Sequence, residues 1–400
     1  MLSRLFSQTY AGRAARPGRG ALFFTLLLLS VEFLDELVFG VREAAWPLIR
    51  ADLDLDYAQI GLLLGVPGVV ANLIEPPIGV LGDVWKRRAL VVGGGLFFAL
   101  ALLLAGGAPG FVVLLLAFIL FYPASGAFVS LSQATLMDLA PHRHEQLMAR
   151  WTLAGSLGVL AGPLLLGGAL LLGYSWRSLF LVLAPLTLLL VFLVHRQPFV
   201  EDGAKAEVSG LGEGVREALR ALRREEVLRW LILLDLSDLM GDVLLGFLAL
   251  YFADVVGLSP ALAGGAVAVL VGAGLVGNIV LIPLLERMPG LHYLRYSSAL
   301  TLLLYPAFLL VPSAGAKLVL VGVIGFVNTG WYAVLQGRLY SALPGRSGTV
   351  MAIGSASGIV GALIAVLLGF VAEQAGLPTM MWMLALGPLA LIVGLPRRST

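Results

Sequence analysis

The chain alternates long apolar runs with short polar joints. Twelve runs are long enough to cross a bilayer, for which roughly 18–20 residues suffice. They cover 21–48, 57–81, 89–106, 110–137, 150–173, 176–195, 229–253, 258–285, 292–312, 316–341, 347–374 and 378–395. Gly and Pro mark most joints, as in Ala105-Gly106-Gly107-Ala108-Pro109-Gly110 and Met288-Pro289-Gly290. The pattern predicts an all-α polytopic membrane protein. Composition agrees, at 59% hydrophobic and 12% charged residues with a mean hydropathy of +0.97. There is no cysteine, which excludes disulfides and thiolate metal sites.

Charge changes the picture by giving the runs a direction. With the N-terminus counted as inside, inside segments hold 22 of the 26 Lys and Arg residues and outside loops hold three, Arg50, Arg177 and Lys317. This is a strong positive-inside bias and predicts both termini in the cytoplasm of a plasma (inner) membrane. Arg4, Arg13, Arg16 and Arg19 precede the first run as in a signal peptide, but the run is too long for one and is expected to be a retained span.

The one long polar stretch divides the chain. The expected domains are a six-helix bundle over 1–195, a cytoplasmic linker over 196–228 and a second six-helix bundle over 229–400. Within the linker Val215, Leu219 and Leu222 share one helical face among Arg and Glu residues, the pattern of an amphipathic helix lying on the cytoplasmic surface.

The halves repeat each other at an offset of about 203 residues. Gln133-Ala134-Thr135-Leu136 lands on Gln336-Gly337-Arg338-Leu339, and Pro141 lands on Pro344. Asn72 and Pro77 match Asn278 and Pro283 at a neighbouring offset, and Asp83 lands on Glu286. Two pseudo-symmetric bundles of six transmembrane helices follow, with a solute site expected between them.

Several acids interrupt the apolar runs. Glu32, Asp35, Glu36 and Glu43 lie in the first run at spacings of three, four and seven, which is one helix face. Asp235, Asp238 and Asp242 do the same in the seventh run, where Asp35 aligns with Asp238 and Glu32 with Asp235. A carboxylate at a lipid-facing helix centre costs about 2.5–3.5 kcal/mol, so these groups should face the interior or a wet cavity. Desolvation and mutual repulsion favour taking up protons or a cation, which makes them candidate coupling sites. Arg42 stands ready to pair with Glu43 or a neighbour. Glu75, before Pro76-Pro77, is a further intramembrane acid, a candidate gate or proton site. Asn72, Gln133, Asn278, Asn328, Trp331, Tyr332 and Gln336 are candidates to line a solute cavity, with helix-to-helix bonding the alternative for each.

Gly79-Val80-Leu81-Gly82-Asp83-Val84-Trp85-Lys86-Arg87-Arg88 resembles motif A of the major facilitator superfamily, Gly-x-x-x-Asp-Arg-x-Gly-Arg-Arg. Gly79, Asp83, Arg87 and Arg88 match, while Val84 and Lys86 replace the usual Arg and Gly. The resemblance implies a cytoplasmic gate in which this loop latches onto the other half, near Ser347 and Gly348. Gly158-Val159-Leu160-Ala161-Gly162-Pro163 with Gly167-Gly168 is similar to the family's antiporter motif, with one extra residue before the final pair. Leu55-Asp56-Tyr57-Ala58-Gln59-Ile60-Gly61 resembles the start of the second helix in fosmidomycin-resistance-type exporters.

The expectation is therefore a secondary active transporter. It would export a small cationic or amphiphilic solute against protons or another coupling cation, acting as a monomer in the bilayer. Import of a nutrient by symport and movement of a lysolipid are alternatives within transport. A non-transporting receptor or a membrane-embedded enzyme is the rival from another class. No phosphate-binding Gly-x-x-x-x-Gly-Lys-Ser/Thr loop is present, so no nucleotide cofactor is expected. His142-Arg143-His144-Glu145 lacks the His-Glu-x-x-His spacing of a zinc site, and the basic residues alternate with spans rather than forming a nucleic-acid patch. No catalytic residue, metal ligand or other cofactor site is expected.

Overall fold

The computed structural model describes residues 19–84, 86–139, 144–197, 199, 220, 222–343 and 347–396. The stretch 200–219, which carries most of the predicted amphipathic linker helix, lies outside them. Each predicted run is helical. In the first half these are α1 (Arg19–Leu53), α2 (Tyr57–Val84), α3 (Arg87–Gly106), α4 (Phe111–Asp138), α5 (His144–Leu171) and α6 (Trp176–His195).

The second half opens with α7, which comes in two pieces, α7a (Glu225–Ser237) and α7b (Asp242–Leu250), followed by a π-turn over Tyr251–Val255. Then come α8 (Pro260–Leu285), α9 (Gly290–Leu310), α10a (Ala314–Asn328), α10b (Trp331–Ala342), α11 (Ser347–Ala375) and α12 (Leu377–Gly394). Among the described residues nine helices meet both the length and the apolarity of a membrane span. Of the three not among the nine, α1 carries too many charged residues, the break in α7 leaves two pieces too short, and α9 is long enough but less apolar.

Three predicted spans proved to be interrupted, α12 only by a turn at Leu384-Ala385. In α7, Asp238–Met240 form a 3-10 turn and Gly241 breaks the rod, and the Asp238 carboxylate accepts the Asp242 N–H at 3.3 Å to cap α7b. In α10 the break falls at Thr329-Gly330, where Gly330 adopts φ +80°, a left-handed conformation that favours glycine. Tyr293 spans this break with hydrogen bonds to the carbonyls of Val327 and Thr329, so the freed backbone groups stay satisfied.

Within the first half α1 packs on α5 and α6, and α4 on α2 and α3; within the second, α10 packs on α7a, α8 and α9, and α12 on α7a and α9. On α1 the fully buried stripe Leu28, Val31, Val38, Val41, Ala45, Trp46 and Ile49 follows the helical period. Close approach of α1 and α5 depends on glycine: a Cβ on Gly162 would stand 2.4 Å from the Val41 nitrogen.

The halves meet mainly through α2 on α11 and α5 on α8, with α1 touching α7b and α8. These contacts gather at one end. Gly61 and Gly65 of α2 lie against Gly369 and Ala362 of α11, and Leu160 of α5 lies against Gly272 of α8. Further along α2, residues 73–77 are all exposed. The two bundles are closed at the end that carries Asp52 and Tyr57 and diverge toward the other.

Candidate functional site

Four carboxylates from both halves surround one cavity of about 400 Å³. Asp35 and Glu36 reach it from α1, Glu75 from α2 and Asp242 from the first turn of α7b, with walls from Phe39, Phe121, Tyr122, Val159 and Leu245. Helical phase explains the choice. Asp35, Phe39 and Arg42 lie three and four apart on one face of α1, and Asp242 and Leu245 lie three apart on α7b.

Charge in the cavity is unbalanced. Arg42 is 3% exposed and lines it, but its Nε and Nη2 both donate to the Glu43 carboxylate, at 2.9 and 2.5 Å, and its Nη1 donates to the Tyr122 hydroxyl at 2.8 Å. Glu43 also accepts the Trp46 indole N–H at 3.0 Å. The guanidinium is thus bonded to Glu43 and Tyr122 and to none of the four carboxylates. Asp35 accepts a hydrogen bond from Ser125 at 2.8 Å. No carboxylate of the cavity has a basic partner within salt-bridge distance among the described residues.

A second cavity of about 250 Å³ adjoins the first and lies between the breaks of α7 and α10. Asp238, Asn328, Trp331 and Tyr332 line it, and Asp242 and Leu245 line both cavities. Asn328 accepts from Thr301 at 2.6 Å while its amide nitrogen is buried without a partner. Trp331 donates to Ser297 at 2.8 Å.

Other candidates from the sequence lie elsewhere. Glu32 is 8% exposed, packed where α1 meets Gly155 of α5. Its pseudo-equivalent Asp235 accepts from Ser357 of α11 at 2.7 Å, so the repeat extends to where each acid docks. Neither lines the two cavities. Asp35 and Asp238 stand in separate cavities; Asp242 is the α7 acid that joins Asp35. Asn72 bonds back to Gly68 at 2.9 Å and wedges against Gly358 of α11, and Gln133 reaches Met148 of α5 at 3.6 Å. Asn278 is exposed and Gln336 half-buried, and neither lines these cavities.

In the loop after α2 the resemblance implies a latch across the halves; the side chains of Asp83 and of Ser347 lie outside the described part, and the contacts of the two arginines that are described fall within the first half. Arg87 pairs with Asp138 at the end of α4 and donates to the Gly82 carbonyl, while Arg88 donates to the His195 carbonyl at the end of α6. Both arginines are held within their own half, as expected where the halves diverge. Gly79 is exposed on α2, and Asp83 lies in its last turn with its side chain outside the described part.

At the closed end the structure adds a cross-half network. Asp254, in the π-turn after α7b, accepts from Arg50 Nη1 at 3.1 Å and from the Tyr57 hydroxyl at 2.9 Å. Glu373 of α11 accepts the Tyr57 N–H at 2.9 Å, and the Arg50 guanidinium stacks 4.4 Å from the Tyr57 ring. Lys317 braces the π-turn, donating to the Tyr251 hydroxyl at 2.8 Å and to the carbonyls of Phe308 and Leu309 at the end of α9.

Two bundles of membrane helices around an acidic cavity at their interface define a membrane transporter fold. Residues 28–366 match the model of the Major Facilitator Superfamily, and the chain belongs to that family. It is 23% identical over 381 residues to the uncharacterized MFS-type transporter YfnC of Bacillus subtilis, covering 91% of this chain and 90% of that one. Over 201 residues it is 26% identical to the methyl viologen resistance protein SmvA of Salmonella typhimurium, covering 48% of this chain and 39% of that one. Among solved structures it resembles a bacterial homolog of the human lysosomal transporter Spinster, inward-facing and unoccupied, with a TM-score of 0.70, 16% identity and 95% of each chain covered.

Proposed function

We propose that the chain is a secondary active transporter that works by alternating access and exports a small cationic or amphiphilic solute in exchange for protons. The single observation that carries this reading is the cavity of about 400 Å³ at the interface of the halves, where four carboxylates meet no free basic side chain among the described residues. Such a site attracts a cation, and binding a solute cation and binding protons become competing ways of neutralising it. Competition for one set of carboxylates is the physical basis of exchange. Asp35, Glu36, Glu75 and Asp242 carry it, with Asp238 beside them; Glu32 and Asp235 tune the α1–α5 and α7–α11 contacts. Asn328, Trp331 and Tyr332 contact solute in the adjoining cavity.

The positive-inside bias supports cytoplasmic termini in a plasma-membrane protein, and on that reading the diverging end faces inward. In the opposite state that end closes, and the loop with Gly79, Asp83, Arg87 and Arg88 exchanges its partners within the first half for contacts across the halves. The two bundles are taken as 1–195 and 229–400, joined by 196–228, in a monomer. Export is supported by the relative whose name records resistance to methyl viologen.

Proteoliposomes test the proposal. Methyl viologen should accumulate uphill when a pH gradient is imposed, and Asp35→Asn with Asp242→Asn should abolish accumulation. Flux indifferent to the gradient refutes proton exchange. Tight binding with no flux at all favours the receptor reading.

A further inference from the structure

We infer that the solute carries two cationic centres joined by an apolar spacer, one centre in each of the two cavities that meet at Asp242. The inference rests on the cation-transport reading above and narrows its substrate class. The cavities hold about 400 and 250 Å³, together within the ~300–1,000 Å³ of small-molecule sites, and Asp242 and Leu245 form their common wall.

Each lobe is equipped on its own. The first has Asp35, Glu36 and Glu75 with the Phe121 ring, and the second has Asp238 with Trp331 and Tyr332. Carboxylate plus aromatic face is the pairing that holds an alkylated ammonium, by charge and by cation–π attraction. Among the described residues Arg42 is the one basic side chain that lines either lobe, and its guanidinium is bonded to Glu43 and Tyr122 and to none of the lobe carboxylates. A solute with one centre fills one lobe and leaves the other's carboxylate without counter-charge, which a second centre would supply. Between the lobes the common wall pairs Asp242 with Leu245, and the Leu245 side chain gives the methylenes of a spacer an apolar surface.

Calorimetry on the full chain in nanodiscs, comparing decyltrimethylammonium with decane-1,10-bis(trimethylammonium), tests this directly. The two-centre probe should bind at least about tenfold tighter, and Asp238→Asn should erase its advantage. Equal affinity of the two probes for the unsubstituted protein overturns the two-centre inference and leaves the cation reading standing. An advantage that survives Asp238→Asn overturns the assignment of the second lobe. Failure of both probes to bind removes the cation reading itself, and the inference with it.

Discussion

Asp254 is the position where a small change should reset the balance between the two states. Its carboxylate takes one hydrogen bond from Arg50 on α1 and one from Tyr57 on α2, and it belongs to the opposite half. Arg50 and Asp254 keep 33% and 27% of their side-chain surface in solvent, so the ion pair contributes only about 0.2–1 kcal/mol. The Tyr57 hydroxyl donates to a charged acceptor, which adds about 1.5–3 kcal/mol. Asp254→Ala should therefore weaken the closed end by about 2–3 kcal/mol, or roughly 30- to 160-fold in the closed-to-open ratio.

The absence of cysteine makes the measurement clean. Spin labels on Ala51→Cys and Gln374→Cys, exposed positions of α1 and α11 at the closed end, report the gap between halves by double electron–electron resonance. The Asp254→Ala variant should add a population at longer distance that the unsubstituted protein lacks. An unchanged distance distribution would refute the claim that this network holds the end shut.

Other expectations follow from buried contacts. Arg42→Met strands the Glu43 charge, which is 2% exposed, and should cost about 3–5 kcal/mol in detergent unfolding; adding Glu43→Gln should recover much of it. Lys317→Met leaves the Phe308 and Leu309 carbonyls short of a donor and should lower the melting temperature, with a loss of about 2–3 kcal/mol. Gly61→Ala and Gly162→Ala should separate two kinds of damage. The first places a Cβ 2.8 Å from the Gly369 Cα, across the halves, and should lengthen the Ala51–Gln374 distance. The second crowds α1 against α5 inside one half and should lower stability by about 1–3 kcal/mol without lengthening that distance.

The acids of α1 and α7 were legible because a carboxylate in an apolar run has few places to go, and the repeat relating the halves was legible for the same residues. Period alone did not show which acids share space. Asp35 and Asp238 align in sequence, yet the break at Gly241 turns α7b so that Asp242 joins Asp35 while Asp238 caps the helix. Tyr122 and Ser125 escaped notice because α4 is apolar around them and their partners lie 80 and 90 residues away. Arg50 and Asp254 looked like ordinary charges at helix ends, and only folding brings residues 204 apart into one ion pair. The break in α10 had a local cue, Thr329-Gly330, but glycine is common in membrane helices and the left-handed turn at Gly330 shows only in the backbone.

Side-specific labelling addresses the central claim, that acids of both halves look into one hydrated cavity open to a single side. Single variants Asp35→Cys and Asp242→Cys in right-side-out and inside-out vesicles would be exposed to a charged, membrane-impermeant thiol reagent. Both cysteines should react from the cytoplasmic side, and decane-1,10-bis(trimethylammonium) should slow both reactions. Cysteines that stay unreactive from either side, or that react from opposite sides, would contradict the account.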